Sequence, residues 1–580
     1  MAELNRRYRY SGTAVLVALF AAALGRPAVA QPSLPVSDPP AFAPAAARDS
    51  QVPHGDQGRA IRHGGSSQDC GKLPSGLADS DPVYVHNPDF GYARLLTDLA
   101  ARDSYQAYRA SNRGRRKMLY LSTNDGRLQA FDADTGSERF VFIPTRLPRR
   151  LPDPTSPGQR HKHSPNFGDA YIDGAWRTVL IGSPGAQGKS VFALDITTPD
   201  GFSKQNLLWE RTDAELPHLG YPLHRGTVAR MRDGTWAAVF GNGYDSAEGR
   251  AVLYVLDVSD GTLLAEIATG AADPSTTPNG LAAPALLADN RRTILAAYAG
   301  DLHGNLWKFD LSHTQPERWK VAYGSRENPQ PLFRAMDDAG NPQPITLEPE
   351  IGQHPTGAGY LIYFGTGRHS GAGAGNLGPD PAVQSFYGIR DQGTPVTSTG
   401  NGKDSGPHGS RSRLQRQTIT HEVTIAGNHW RVVSDNPIDW TTRQGWFLDL
   451  VSPNGGRQGE HLVGTPRLRG GHIRFTTRIP TNDRCKLGGQ GWAMVLDIEN
   501  GRRVGAGRFH VSGDGERSDA DFLKIPAGPS DATPVTLSAR ASDTDIAKTP
   551  HGIPVGAADE HTGGPTTAGG TGRRSWRQLR

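Results

Sequence analysis

The chain has 580 residues, of which 71 are Gly and 44 Pro, and 36% are hydrophobic, so it is too long for one compact core and too rich in turn formers to be mainly helical. A formal charge of +5, carried by scattered basic residues, leaves no footprint for nucleic acid. Many short strands are what this composition favours.

In chain order, Arg6, Arg7 and Arg9 precede an apolar run at 12–24, and Ala28, Val29 and Ala30 offer small residues for cleavage before Gln31. This is the pattern of a secretory signal over residues 1–30, and the run falls short of the ~20 residues that a bilayer core demands. No Cys follows it to carry a lipid anchor, and no later stretch reads as membrane-spanning. Residues 31–80 are rich in Pro, Ala and Ser without apolar periodicity, which predicts a flexible linker. The two cysteines are Cys70 and Cys485. In an oxidising compartment a lone pair is more often a bridge than two free thiols, and a bridge here would tie the start of the folded region to its last strand group.

From 81 to 116 the sequence is mixed, extended at 81–85 and partly helical at 92–108. The stretch 118–144, MLYLSTNDGRLQAFDADTGSERFVFIP, then reads as three strands, at 118–122, 127–132 and 138–143, joined by turns at Asn124-Asp125-Gly126 and Asp134-Thr135-Gly136. A strand ending in an apolar or aromatic residue followed by Asp recurs at Asp132, Asp195, Asp257, Asp310, Asp449 and Asp497. Segments with an apolar-Gly ending, at 176–182, 236–241, 295–300 and 360–365, precede successive copies. A repeat of roughly 50 to 60 residues holding about four strands is the signature of an all-β fold of the β-propeller class, with quinoprotein-like repeats over 81–525. The count of units is seven, with six and eight as the neighbouring possibilities, and a β-sandwich array is the alternative. Each Asp is expected to accept from backbone N–H groups at its turn, a structural cause for its recurrence. Trp176, Trp209, Trp236, Trp307 and Trp319 are placed on strands as packing between units. Residues 393–413, rich in Gly, Ser and Thr, predict a long surface loop, and the tail 526–580 predicts disorder.

The stretches YLSTNDGRLQAFDADTG (120–136), WRTVLIG with VFALDITTP (176–199), AAVFGNGYDSAEGRAVLYVLDVSDG (237–261), YAGDLHGNLWKFDLS (298–312), YFGTGRHS (363–370), GWFLDL (445–450), GTPRLRGGHIRFTTRIPTNDRC (464–485) and GRRSWRQLR (572–580) resemble the C-terminal β-propeller of the PilC/PilY family. These are type IV pilus biogenesis factors and tip-associated adhesins. The resemblance implies a non-enzymatic protein that assembles or stabilises pili against retraction by contact with minor pilins and the pilus machinery, or with host and surface ligands. It also implies export to the periplasm, outer membrane or cell surface. A scaffold for outer-membrane assembly is the alternative. A dehydrogenase using pyrroloquinoline quinone is disfavoured, because such enzymes resemble this repeat but stack a vicinal Cys pair on the quinone, and this chain has no adjacent cysteines.

Two departures from the family concern metal. Its acidic calcium loop is replaced here by Ala288-Asp289-Asn290-Arg291-Arg292-Thr293, and one carboxylate beside two arginines does not match the oxygen set calcium needs. A second loop, 510–521, places Ser512, Asp514, Glu516 and Asp521 on the EF-hand template but puts His510 where a hard oxygen ligand belongs, so it is a degenerate calcium candidate. No DxSxS adhesive-domain motif is found. His161 and His163, without a third ligand nearby in sequence, read as a solvated turn rather than a metal pair.

Overall fold

Met118–Ser122, Leu128–Asp132 and Glu138–Ile143 pair antiparallel, Met118 opposite Asp132 and Leu128 opposite Phe142. Val83–Val85 flanks one side of this trio and Ala41–Pro44 the other, giving a first sheet of five strands. The structure is a computed structural model that describes residues 41–44, 81–94, 99–123, 125–145, 147, 164–222, 225–270, 278–357, 359–368, 381–393, 411–425, 428–480, 491–503 and 537–541. All of them belong to the unit from Pro40 to Arg580.

The second sheet runs Asn166–Ile172, Ala175–Gly182, Ser190–Asp195, Leu207–Thr212, and the third runs Thr227–Arg230, Trp236–Gly241, Val252–Asp257, Leu263–Ala268, each in sequence order. The fourth follows the same plan with Ala285–Ala288, Ile294–Gly300, Asn305–Asp310 and Lys320–Val321. The fifth has Glu350–Gln353, Tyr360–Gly365, Ser385–Asp391 and Gly445–Asp449, with Gln415–Gln417 added in parallel on the outside. The sixth is built on His472–Arg478 and Gly491–Asp497. This meander of short antiparallel sheets is a β-propeller. Six sheets of four or more strands and one two-stranded ribbon, Tyr323–Gly324 with Pro329–Gln330, stand among the described residues, and they do not reproduce the expected count of seven.

Packing explains the order. The inner strands Trp236–Gly241 and Val252–Asp257 are buried along nearly their whole length, as befits sheets covered on both faces, whereas Met118–Ser122 alternates buried and half-buried. One apolar cluster joins the first three sheets, a second the third and fourth, a third the fourth and fifth, and a fourth the fifth and sixth. The apolar-Gly endings have a steric origin. A Cβ on Gly241 would lie 2.2 Å from the carbonyl oxygen of Ala282, and one on Gly300 would lie 2.2 Å from Ile345 Cγ2, so only glycine lets the next segment cross there.

Several expectations need correction. Within the expected linker, Ala41–Pro44 forms the outer strand of the first sheet, and within the expected disordered tail, Leu537–Ala541 inserts between Asn428–Val433 and Gly491–Asp497. Both find backbone partners far away in sequence, which composition does not reveal. Trp319 precedes rather than occupies a strand, though it is buried like the other four tryptophans. The expected partly helical lead-in is the helix Leu99–Ser111, whose Ala101 and Tyr105 pack against Trp176 and the second sheet.

Candidate functional site

The recurrent carboxylates behave as turn formers. Asp132 Oδ1 accepts from the backbone N–H of Asp134 and Thr135, and Asp195, Asp257 and Asp310 each accept from the N–H and hydroxyl of the residue two positions on. Asp497 does the same with Glu499 and Asn500. These are Asx turns. In the first three sheets the ladder bulges at the residue before this Asp, which twists the strand end and aims the carboxylate into its turn. Asp301 does more, accepting from the N–H of His303 and Asn305, the amides of Asn279 and Asn305, and Trp307 Nε1.

Asp449 departs from that pattern. Its Oδ1 accepts from Ser385 Oγ at 2.6 Å and Arg411 Nη2 at 2.9 Å, and its Oδ2 from Arg416 Nη2 at 2.8 Å. Arg411 also reaches Tyr387 Oη at 2.7 Å and Asp338 at 3.0 Å, with its guanidinium 4.4 Å from the Phe447 ring centre. Arg411 was expected in an exposed loop, yet it is 8% exposed and clamps the turn Arg411–Arg413 to the fifth sheet; Arg416 and Asp338 stay exposed beside it.

Other charges are buried within and between sheets and satisfied there. Asp391 accepts from Tyr298 Oη and Tyr323 Oη, both at 2.6 Å, and from Lys308 Nζ at 2.7 Å. Burial alone would raise its pKa, but these donors outweigh it and hold the carboxyl below its usual value. The fully buried Arg431 meets Glu460 through two bonds of 2.7 and 3.0 Å, bonds Glu422, and lies over Trp492 at 4.1 Å. Asp169 takes Tyr105 Oη and Thr178 Oγ1, each at 2.8 Å, and burial pushes its carboxyl up to about 6. Sequence reading missed these clusters. A signal existed for one, since Lys308 is a lone charge between Trp307 and Phe309 on a buried strand.

Where the first strands of successive sheets lie side by side, a further polar group collects. Arg225 pairs with Asp81 at 3.2 Å, and Glu350 faces Arg467. Burial lowers the Arg225 guanidinium to about 10 despite Asp81, and burial raises Glu350 to about 7 despite Arg467 and the backbone N–H of Leu468.

The residues around Asp289 do not fit a calcium ion. Asp289 Oδ1 is occupied by the N–H groups of Arg291 and Thr293 in a tight turn, and Arg292 takes a left-handed φ of 60° with its guanidinium against Gly91. Among the described residues, no group of three His, Cys, Asp or Glu side chains is placed to hold a metal. Ser512, Asp514, Glu516 and Asp521, together with Cys70, Cys485, His161 and His163, lie outside the described residues. No described helix is long and apolar enough to cross a membrane.

A propeller whose repeated carboxylates tie turns and whose buried charges pair within and between sheets defines an all-β, strand-built class of protein. Residues 162–426 match the model of the PilY1 beta-propeller domain. The crystal structure of the Pseudomonas aeruginosa PilY1 C-terminal domain superposes with a TM-score of 0.65 and 31% identity over 79% of this chain and 94% of that one. A type IV pilus biogenesis factor PilY1 homolog of Xylella fastidiosa is 36% identical over 76% of the chain, and PilY1 of Pseudomonas aeruginosa PAO1 is 34% identical over 87%. The chain belongs to the PilY1 family. It spans 30% and 45% of the length of those two relatives.

Proposed function

We propose that this chain serves type IV pilus biogenesis by binding other proteins, without catalysing a reaction. The observation that carries this reading is the match to nearly the whole of the solved PilY1 C-terminal domain, joined to relatives named as pilus biogenesis factors. The internal chemistry supports it, because the buried carboxylates and cations described above are engaged with one another rather than presented to a substrate. In this reading the exported propeller is a rigid support whose loops contact minor pilins and the rest of the pilus machinery, with adhesion at the pilus tip as an added role. In this reading the loop over residues 393–413 is one such partner surface. Deleting the gene is expected to abolish piliation and twitching motility, and the purified chain is expected to retain minor pilins on affinity resin. Normal piliation in the deletion strain would remove the reading.

A further inference from the structure

Where charged residues face each other across strands in most of the fold, their signs are opposite, as with Asp310 and Lys320 or Glu422 and Arg431. The strand His472–Arg478 of the sixth sheet departs from this. One of its edges receives Arg467–Arg469 and His461–Leu462, and the register sets Arg467 opposite Arg474, Arg469 opposite His472 and His461 opposite Arg478. Among the described ladders, these are the places where two basic residues stand directly opposite one another. Like charges so placed, with Cβ atoms about 5 Å apart, weaken a sheet.

The three pairs collect on one face. Alternation puts His472, Arg474, Thr476 and Arg478 on one side of the strand and Ile473 and Phe475 on the other. The Ile473 side is buried against the fifth sheet, where Phe475 stacks on Phe386 at 3.9 Å. The arginine side faces the opposite way, and among the described residues no apolar cluster joins the sixth sheet to any sheet but the fifth. Arg467, Arg474 and Arg478 are half-buried there and Arg469 is exposed. Among the described residues, Arg467, Arg469 and Arg478 form no ion pair and no side-chain hydrogen bond. The carboxylates beside them do not neutralise the face. Glu350, which faces Arg467, is raised to about 7 by burial, and Asp497, opposite His472, gives its Oδ1 to the N–H groups of Glu499 and Asn500. Four guanidiniums whose repulsion is left standing are complementary to carboxylates, since each planar fork can take both oxygens of one. Half-buried Thr476 and Val495 lie among the arginines, so the face suits the mixed surface of a protein better than a polyphosphate.

We propose that the face of the sixth sheet carrying Arg467, Arg469, Arg474 and Arg478 docks a partner protein through a cluster of carboxylates on that partner. This rests on the protein-binding reading above and gives it a place and a charge. The experiment titrates the full chain with purified minor pilins of the same bacterium in about 50 and about 300 mM NaCl, and repeats this on the double variant Arg469→Gln, Arg478→Gln. Binding is expected to weaken about tenfold or more in the double variant, and to weaken with salt in the parent more than in the variant. The variant is expected to melt no lower than the parent, because removing two of the facing charges relieves repulsion. Pilins that bind the variant as tightly as the parent would overturn the assignment of this face and leave the pilin reading standing. Absence of any pilin binding would overturn both. A variant that melts lower by about 2 °C or more would show that carboxylates of the chain itself already occupy the face, and the proposal would fall. It would fall equally if duplex DNA or phosphatidylglycerol vesicles bound the parent as tightly as pilins do and lost that binding in the variant, since the face would then be a general polyanion site.

Discussion

Asp391 and Asp169 are equally buried, each 2% exposed, yet their carboxyl groups are driven in opposite directions. The difference lies in the donors. Asp391 has an ammonium, Lys308, as well as two phenols, whereas Asp169 has only the neutral hydroxyls of Tyr105 and Thr178. Burial therefore wins at Asp169 and loses at Asp391. For Asp169, raised to about 6 from an unfolded value near 3.8, the folded state binds more protons than the unfolded one between those pH values. Its contribution to stability is full below about 4 and is lost as pH rises through 6, a loss of at most about 3 kcal/mol at 1.36 kcal/mol per unit. Glu350, raised to about 7, extends the same slope upward. Melting temperatures of Asp169→Asn and Glu350→Gln, followed from pH 4 to 8, are expected to fall less steeply across this window than those of the parent chain. An unchanged slope in both would contradict the assignment. Asp391→Ala is a different experiment, because it strands the Lys308 ammonium in a nearly closed site. The expected cost is about 3–5 kcal/mol in urea unfolding.

Strands with a turn signature at their end were legible in the sequence. Leu128–Asp132, Ser190–Asp195, Val252–Asp257 and Asn305–Asp310 each end at an Asp whose side chain builds the next turn, so local chemistry marks them whatever the surroundings. Gly241 and Gly300 marked the preceding strands because the crossing chain leaves no room for a Cβ. The first strands, such as Thr227–Arg230 and Ala285–Ala288, are four residues long and carry no such mark. Ala41–Pro44, Gln415–Gln417 and Leu537–Ala541 were illegible for another reason: their pairing partners are remote, and they stand in or beside stretches whose composition marks linker, loop and tail. The charged clusters were hidden likewise, since Lys308 and Asp391 meet only through the packing of the fourth sheet on the fifth. The two added terminal strands predict unequal effects of truncation. Removing residues 1–45 uncovers the edge of Glu138–Ile143 and is expected to lower the melting temperature by about 2–4 °C, while increasing self-association in light scattering. Removing 537–580 takes out a strand paired on both sides and is expected to cost several times more.

At the scale of the molecule, the four apolar clusters form a chain in which each shares a sheet with the next, so no described sheet owns a core of its own. A lone four-stranded sheet with open edges and one apolar face is not stable in water, and here each becomes stable by lending side chains to its neighbours. Trp209 is one such loan: it is 4% exposed, grows from the second sheet, and gives its indole N–H to Val258 beyond the last inner strand of the third. Trp209→Ala would leave a cavity between two sheets and an unpaired carbonyl, at a cost of about 3–5 kcal/mol. If the sheets were independent, that loss would fall on one of them and split urea unfolding into two transitions. Because they share cores, the midpoint is expected to move to lower urea as one transition, with fluorescence and circular dichroism still coincident and the slope unchanged. Separation of the two signals in Trp209→Ala, absent in the parent chain, would show that the junction between the second and third sheets is a boundary between folding units rather than part of one cooperative propeller.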